Sequence, residues 1–319
     1  MASQMAFGAF LASALVLFPL PWHWRARNVP TLSMLAWLLV SNLTYAINSV
    51  IWSKSIDDVV PVWCDIVTKS EVGATAALPA CCLSLALQLW RVSSGVHTSH
   101  RRTAIISDII LCWGYPVVTM ILHYVFQGHR FDIIEDFGCR PTSYVSVPAI
   151  VLFYAPIAAV TTKSSFTTRR YVHLMAVTVT LAVWEAVVIG LVFAMTFRSP
   201  IGPYTSWADV HYNFSRVDTY PTVLISPEVL FWTYVVWWTI PISGYFFFCA
   251  FAISEQAVAE YGPWVRWVTG HREIGKTSVS SPSSTSSEAH LVLPRWKADN
   301  VIYIRADFVD TSSSSESSS

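Results

Sequence analysis

The sequence has few charged residues for its length. Of its 319 residues, 13% are Asp, Glu, Lys or Arg and 54% are hydrophobic. A chain this apolar is not expected to form a soluble globule, so we predict an integral membrane protein. Its 20 basic and 20 acidic residues balance, so net charge gives no support for a nucleic-acid partner, and none is predicted.

Several signatures of enzymes and cofactor proteins are also missing. Six cysteines without a CxxC pair are too few for a disulfide scaffold and do not suggest a zinc site. Neither HExxH nor GxSxG occurs, so a metalloprotease or an elbow-type serine hydrolase lacks support. The last apolar segment, residues 228–252, holds no lysine for a retinal Schiff base. We therefore predict a protein that is not an enzyme and has no cofactor and no metal site.

Seven apolar segments dominate the sequence, and the third is unusual. Between positions 72 and 87, ten of sixteen residues are Gly, Ala, Thr, Cys or Ser, which favours close contact with several neighbouring helices. Lys69 and Glu71 near its start are costly in lipid, so we expect them to face protein or water. The seven predicted helices cover residues 5–20, 31–52, 66–90, 104–126, 144–160, 171–197 and 229–252.

Basic residues are distributed unevenly between the loops. One set of loops holds eight basic residues and no acidic ones, whereas the other set holds five basic and eight acidic residues. Because the retained side carries the basic excess, the N-terminus is predicted outside and the C-terminus inside. The predicted fold is an all-α membrane protein, a seven-transmembrane helix bundle in residues 1–254. A Ser-rich, largely disordered cytoplasmic tail is predicted in residues 255–319, with an amphipathic surface helix at 255–270.

Polar side chains within the apolar segments are predicted to point into the bundle. Glu71, Asp108 and Glu185 are intramembrane acids of the kind used in proton relays, so a small-solute or proton transporter stays open as an alternative. Inverted repeats are not evident, and seven helices do not divide into equal halves, which counts against it. In the second segment, one inward face is formed by Ser41, Tyr45, Asn48 and Trp52.

Specific strings carry more information than the helix count. They include residues 19–28 (PLPWHWRARN), 63–66 (WCDI), 127–133 (QGHRFDI), 135–136 (ED), 138–139 (GC), 170–171 (RY), 174–175 (LM), 206–211 (SWADVH) and 213–216 (NFSR). In these strings the sequence resembles fungal mating pheromone receptors of the a-factor-receptor type, which are class D G protein-coupled receptors. The resemblance covers helices one to seven in order.

This resemblance implies a multi-pass plasma-membrane receptor for a secreted peptide that ends in a farnesylated cysteine. It also implies signalling through a heterotrimeric G protein in mating, contact with membrane lipids, and no catalytic residues; a homodimer stays open. A rim of acids and aromatics would suit the ligand, so the predicted ligand-binding residues are Asp65, Lys69, Glu71, Glu135, Asp136, Trp207, Asp209 and His211. The predicted G protein-facing residues are Arg25, Arg27, Arg91, Arg101, Arg102, Arg169 and Arg170.

The sequence departs from the family pattern at predicted helix five. Its 17 residues give a helix of about 25 Å, short of a hydrocarbon core of about 30 Å. The third inner loop is also short. Either a segment is missing from this sequence, or the chain is a receptor-like membrane protein with impaired coupling.

Two modification sites follow from the predicted topology. Cys64 and Cys139 lie outside the apolar runs and on the oxidising side, so we predict a disulfide between them; two unpaired thiols are the alternative. Asn213 begins an Asn-Phe-Ser acceptor in an outer loop and is the predicted glycosylation site. Asn42 matches the same motif but falls inside predicted helix two.

Overall fold

The computed structural model describes residues 2–93, 101–162, 172–196 and 201–252. The predicted surface helix at 255–270 and the Ser-rich tail lie outside the described residues. Helical segments occur at each of the seven predicted positions, with ends shifted by a few residues. The helices are α1 (Ala2–Leu17), α2 (Leu20–Ala26), α3 (Val29–Ile51), α4 (Pro61–Ser93), α5 (Arg101–Ile109), α6 (Tyr115–Phe126), α7 (Val147–Ala149), α8 (Ala155–Thr162), α9 (Val172–Thr196), α10 (Trp207–Val210) and α11 (Pro227–Ala252).

Five helical segments among the described residues are long and apolar enough to cross a membrane. They are Ala2–Ala26, Val29–Ile51, Pro61–Arg91, Arg102–Phe126 and Pro227–Phe251. The segment from α7 to α8 has 16 residues, about 24 Å of helix, so it is short of a typical core. In α9 the described apolar part is Thr180–Thr196. A helical membrane fold is therefore confirmed, whereas the count of seven spans and their orientation stay predictions.

Helix α4 lies at the centre of the bundle. It packs against α3, α6, α8 and α9. Of an 18-residue apolar stretch of this helix, 83% is buried, whereas the corresponding share in the other four spanning segments is 22% to 56%. Ala76, Ala77 and Ala80 are completely buried. A methyl group added at Gly73 would lie 3.0 Å from both Trp37 and Met120. The predicted close packing on several sides is confirmed, because small side chains let neighbouring helices approach.

Prolines explain the irregular helices. The π-helical turn Ile110–Gly114 joins α5 to α6 and ends two residues before Pro116. A second turn, Ile150–Tyr154, joins α7 to α8 and ends two residues before Pro156. Proline has no N–H to donate to the carbonyl four residues earlier. The carbonyl four residues before Pro116 belongs to Cys112, and its oxygen accepts a hydrogen bond from Trp37 Nε1 at 3.2 Å. A neighbouring helix thus satisfies a backbone group that the kink leaves open.

A three-stranded sheet closes one end of the bundle, and the sequence analysis did not predict it. Its strands are β1 (Phe131–Ile134), β2 (Gly138–Arg140) and β3 (Val217–Tyr220), in the order β2-β1-β3. β1 pairs antiparallel with β2 and parallel with β3. Strands of three or four residues are too short to show an alternating pattern. We call this end of the bundle the sheet end.

The sheet is fixed to the central helix. Cys139 on β2 and Cys64 on α4 are joined by a disulfide, with Cα atoms 5.4 Å apart. Gly138 beside it has φ 81°, and a methyl group there would lie 2.6 Å from the Cβ of Asn48. Both the backbone conformation and the close approach require glycine at this position.

Candidate ligand-binding site

A cavity of about 380 Å³ opens at the sheet end between α4, α6 and the segment before β3. Two of the predicted ligand-binding residues, Asp65 and Lys69, line it. They project from α4 one helical turn apart and therefore share a face of the helix. The lining residues are Asp65, Thr68, Lys69, Tyr124, Gln127, Arg130, Phe214 and Ser215.

Lys69 is held against α6 by neutral or aromatic groups. Its ammonium donates to Gln127 Oε1 at 2.6 Å and lies 3.1 Å from His123 Nδ1. It also lies 5.7 Å from the centre of the Tyr124 ring. An ammonium group has three N–H donors, so these two hydrogen bonds leave one donor for a ligand. The prediction that Lys69 faces the protein interior is confirmed.

Asp65 forms an ion pair with a residue of the loop between α6 and β1. Arg130 donates from Nε to Asp65 Oδ1 at 2.9 Å and from Nη2 to Oδ2 at 2.6 Å. These hydrogen bonds raise the pKa of Arg130 above its ordinary value. A bidentate pair fixes both planar groups, so it sets the shape of this wall of the cavity. The described cavity wall thus carries two cations and one anion.

Aromatic rings extend from the cavity along the sheet end. Trp207 and His211 on and beside α10 stack with ring centres 3.8 Å apart. Tyr124 contacts both of them and Phe214, with ring centres 5.5 to 5.8 Å apart. Tyr124 and Phe214 also line the cavity. The predicted residues Trp207 and His211 therefore border the cavity through these two rings without lining it.

Glu71 faces a different part of the protein. Its Oε1 accepts from Arg140 Nη1 at 2.5 Å and from the Tyr45 hydroxyl at 2.9 Å. Arg140 also donates to the Tyr45 hydroxyl at 2.8 Å. Burial disfavours the charged guanidinium, but the Glu71 carboxylate and the Tyr45 hydroxyl together more than offset this and raise the pKa of Arg140 above its ordinary value. This cluster links α3, α4 and β2 and confirms that Glu71 faces protein.

The remaining predicted acids hold loops in place. Glu135 Oε2 accepts from the backbone N–H and the hydroxyl of Thr222, at 2.7 and 2.8 Å. Asp136 Oδ1 accepts from the backbone N–H of Lys54 at 3.0 Å. Asp209 accepts from the Thr205 hydroxyl and lies within the short helix α10. The structure therefore does not place these three acids at the cavity.

Six cavity residues were absent from the predicted set: Thr68, Tyr124, Gln127, Arg130, Phe214 and Ser215. Gln127 and Arg130 lie in the string QGHRFDI that carried the resemblance, and Phe214 lies in NFSR. Thr68 follows Asp65 at the spacing of one helical turn, which places both on one face. The strings and the helical spacing therefore indicated these residues, but the sequence alone does not show which loop residue contacts which helix.

The opposite end of the bundle carries four of the predicted G protein-facing arginines, Arg25, Arg27, Arg91 and Arg102. Arg25, Arg27 and Arg102 are exposed, and Arg91 is half-buried with Nη1 4.0 Å from Asp108 Oδ1. Asp108 in turn accepts from the Ser84 hydroxyl at 2.7 Å. The side chain of Arg101, and all of Arg169 and Arg170, lie outside the described residues.

Comparison with known proteins places the chain in a family. The profile of the pheromone A receptor family matches residues 4–162 and 157–270. The chain is 39% identical to the pheromone B beta 1 receptor of Schizophyllum commune over 287 residues, which are 79% of this chain and 53% of the relative. It is 29% identical to pheromone receptor 1 of Mycosarcoma maydis, over 80% of this chain and 81% of the relative. It is 31% identical to the pheromone a factor receptor of Saccharomyces cerevisiae over 41% of this chain and 29% of the relative.

These matches agree with the resemblance seen in the sequence and with a receptor rather than an enzyme. The chain spans about half the length of the Schizophyllum relatives it matches. The two matched stretches overlap at residues 157–162, at the end of the short fifth helical segment. Together the two stretches cover residues 4–270, which is most of the chain. The chain therefore belongs to the pheromone A receptor family.

Proposed function

We propose that the chain is a seven-helix, G protein-coupled receptor of the plasma membrane for a secreted, lipidated peptide pheromone. The sheet end faces the outside together with the N-terminus, and the end that carries Arg25, Arg27, Arg91 and Arg102 faces the cytoplasm. Residues 1–254 form the receptor domain, and residues 255–319 form a cytoplasmic tail. Two relatives from different fungi are named as pheromone receptors, which supports a ligand of this class.

The observation that carries this proposal is the cavity beside Lys69. A volume of about 380 Å³ is within the range of small-ligand sites and admits a few groups of a peptide rather than the whole molecule. The free donor of Lys69 suits a peptide carbonyl or carboxylate. The aromatic rings of Tyr124 and Phe214 offer apolar surface next to it, which suits a hydrocarbon chain.

The opposite end suits a G protein. Exposed basic residues at the cytoplasmic side attract acidic partner surfaces and anionic lipid headgroups, as expected for an intracellular coupling surface. The ion pair between Arg91 and Asp108 lies at the same end, at the end of the central helix. A ligand that shifts α4 at the sheet end therefore acts on a helix that reaches the coupling surface.

The test is pheromone-dependent nucleotide exchange on a co-expressed G protein. Lys69→Gln removes the cavity ammonium, and we expect it to weaken pheromone binding about tenfold or more, as for loss of a hydrogen bond to a charged group. Lys54→Gln is the matched control, because Lys54 is exposed and its backbone N–H, not its ammonium, contacts Asp136. This control is expected to bind like the unmodified chain.

Two results would count against the proposal. Solute uptake without nucleotide exchange would support the small-solute or proton transporter instead. Equal weakening by both variants would show that Lys69 acts through general charge rather than through the cavity.

A further inference from the structure

The sheet brings together three potential metal ligands from two separate loops. His129 precedes β1, Asp132 lies on β1, and Asp218 lies on β3. His129 Nε2 is 2.7 Å from Asp132 Oδ1 and 3.5 Å from Asp218 Oδ2. One donor atom from each residue lies within 4.8 Å of the others. Of the residues that the structure describes, this is the one group of three such donors.

The spacing suits a small divalent ion. Tetrahedral ligands about 2.1 Å from zinc are separated from one another by about 3.4 Å. The His129 to Asp218 separation already has this value, and the His129 to Asp132 pair needs to open by less than about 1 Å. Imidazole and carboxylate are both common zinc ligands. The side chains are 13%, 23% and 30% exposed, so water can complete the coordination.

The surrounding contacts hold two of the donors in place. Asp218 Oδ1 accepts from Arg216 Nε at 2.9 Å, which orients the carboxylate and leaves Oδ2 toward His129. The main-chain oxygen of His129 accepts from the Thr142 hydroxyl at 2.6 Å. Groups that orient the ligands in this way are a regular part of metal sites.

The pairing of the strands favours a cation at this position. Asp132 and Asp218 are direct partners in the parallel pair of β1 and β3, so their side chains leave the same face of the sheet. Like charges placed opposite each other destabilise a sheet. Arg216 and His129 offset this repulsion here, and a dication between the carboxylates offsets it more strongly.

Arg216 also opposes an ion. Its Nη2 lies 3.2 Å from His129 Nδ1, and a guanidinium can only donate, so Nδ1 is the acceptor and the ring proton is on Nε2. An ion on Nε2 displaces that proton, and the neutral ring then carries its proton on Nδ1. Two donors would then face each other. Arg216 is 45% exposed and can turn away, so it weakens binding without preventing it.

We propose that His129, Asp132 and Asp218 bind a divalent transition-metal ion, with zinc as the best fit. Bound there, the ion fastens the loop that follows α6 to the loop that precedes α11. The proposal concerns the sheet alone and does not depend on the identity of the pheromone.

The experiment uses the purified full chain in lipid nanodiscs, with zinc in competition against a chromophoric chelator. We expect one zinc per chain at this site and a higher thermal unfolding midpoint with zinc, since an ion bound to the folded state stabilises it. His129→Ala, Asp132→Asn and Asp218→Asn are each expected to weaken binding by at least about tenfold. Arg216→Gln is expected to strengthen it: Gln can accept from the Nδ1 proton and removes a positive charge beside the ion, which outweighs the loss of the exposed hydrogen bond that orients Asp218.

Asp57→Asn is the matched control, because it removes one carboxylate from an exposed loop that supplies none of the three donor atoms. It should bind zinc like the unmodified chain. Thermal unfolding midpoints measured without zinc identify any variant that fails to fold. A gain in zinc affinity in Arg216→Gln cannot result from a loss of folded protein. Zinc affinity that is unchanged in all four sheet variants, or weakened equally in Asp57→Asn, would overturn the proposal.

Discussion

At the scale of single residues, loop side chains neutralise the charges on the central helix. Arg140 on β2 pairs with Glu71, and Arg130 pairs with Asp65. Buried charges are costly unless they are paired. Of the two acids, Glu71 is the more buried, so its charge is compensated only when the loop between α6 and α7 is in place.

The two ion pairs differ in burial, which gives a prediction. Arg140→Met leaves Glu71 uncompensated in a partly buried cluster, and we expect it to cost about 3 kcal/mol of stability. The double variant Glu71→Gln with Arg140→Met is expected to cost less than Arg140→Met alone, since no unpaired charge is left. Denaturant unfolding of the purified receptor measures both.

The Asp65–Arg130 pair provides the control for this comparison. Its side chains are 43% and 32% exposed, so Arg130→Met is expected to cost within about 1 kcal/mol. An equal loss in Arg130→Met and Arg140→Met would contradict the assignment of different roles to the two pairs.

At the scale of elements, β2 is held to α4 by the bond between Cys64 and Cys139. We predict that neither thiol is labelled by an alkylating reagent on intact cells without reductant, and that both are labelled after reduction and unfolding. Labelling of both Cys64 and Cys139 before reduction would show that the pair is not bonded in the cell.

The short fifth helical segment is expected to affect coupling to the G protein. The α7–α8 segment gives about 24 Å of helix, while the cavity and the sheet at the other end are complete. We predict that the chain binds pheromone better than it activates the G protein. Activation requires the pheromone and the G protein to favour the same receptor state. Weak contacts with the G protein at the cytoplasmic end therefore reduce coupling without abolishing pheromone affinity.

This separation is measured by comparing the chain with a version in which a relative's fifth helix and third inner loop are grafted after Pro156. Binding is expected to be similar in both, and activation higher in the graft. Equal activation would show that the segment is dispensable.

At the scale of the whole molecule, the orientation in the membrane decides which acceptor is glycosylated. Asn213 is exposed and has φ 52°, whereas Asn42 is fully buried and donates to the Leu38 carbonyl at 2.8 Å. With the sheet end outside, we predict that endoglycosidase shifts the wild-type protein on a gel and leaves Asn213→Gln unchanged. An equal shift in both would mean that the sidedness or the acceptor is wrong.

Much of the fold could be predicted from the sequence. A spanning helix needs a long apolar run, which is a local property of the chain. The second segment illustrates this, because the spacing of its polar residues predicted one inward face, and Ser41, Tyr45, Asn48 and Trp52 are all buried. The small residues of α4 likewise predicted its central place.

Tertiary structure decided the candidate site. Asp65 and Arg130 are separated by 65 positions, and Glu71 and Arg140 by 69, so no periodicity within a helix relates them. The strands β1 and β3 are too short to be recognised alone, and they exist because each satisfies the backbone hydrogen bonds of the other. The same sheet that brings His129 to Asp218 therefore depends on contacts between distant loops, which the fold creates and the local sequence does not show.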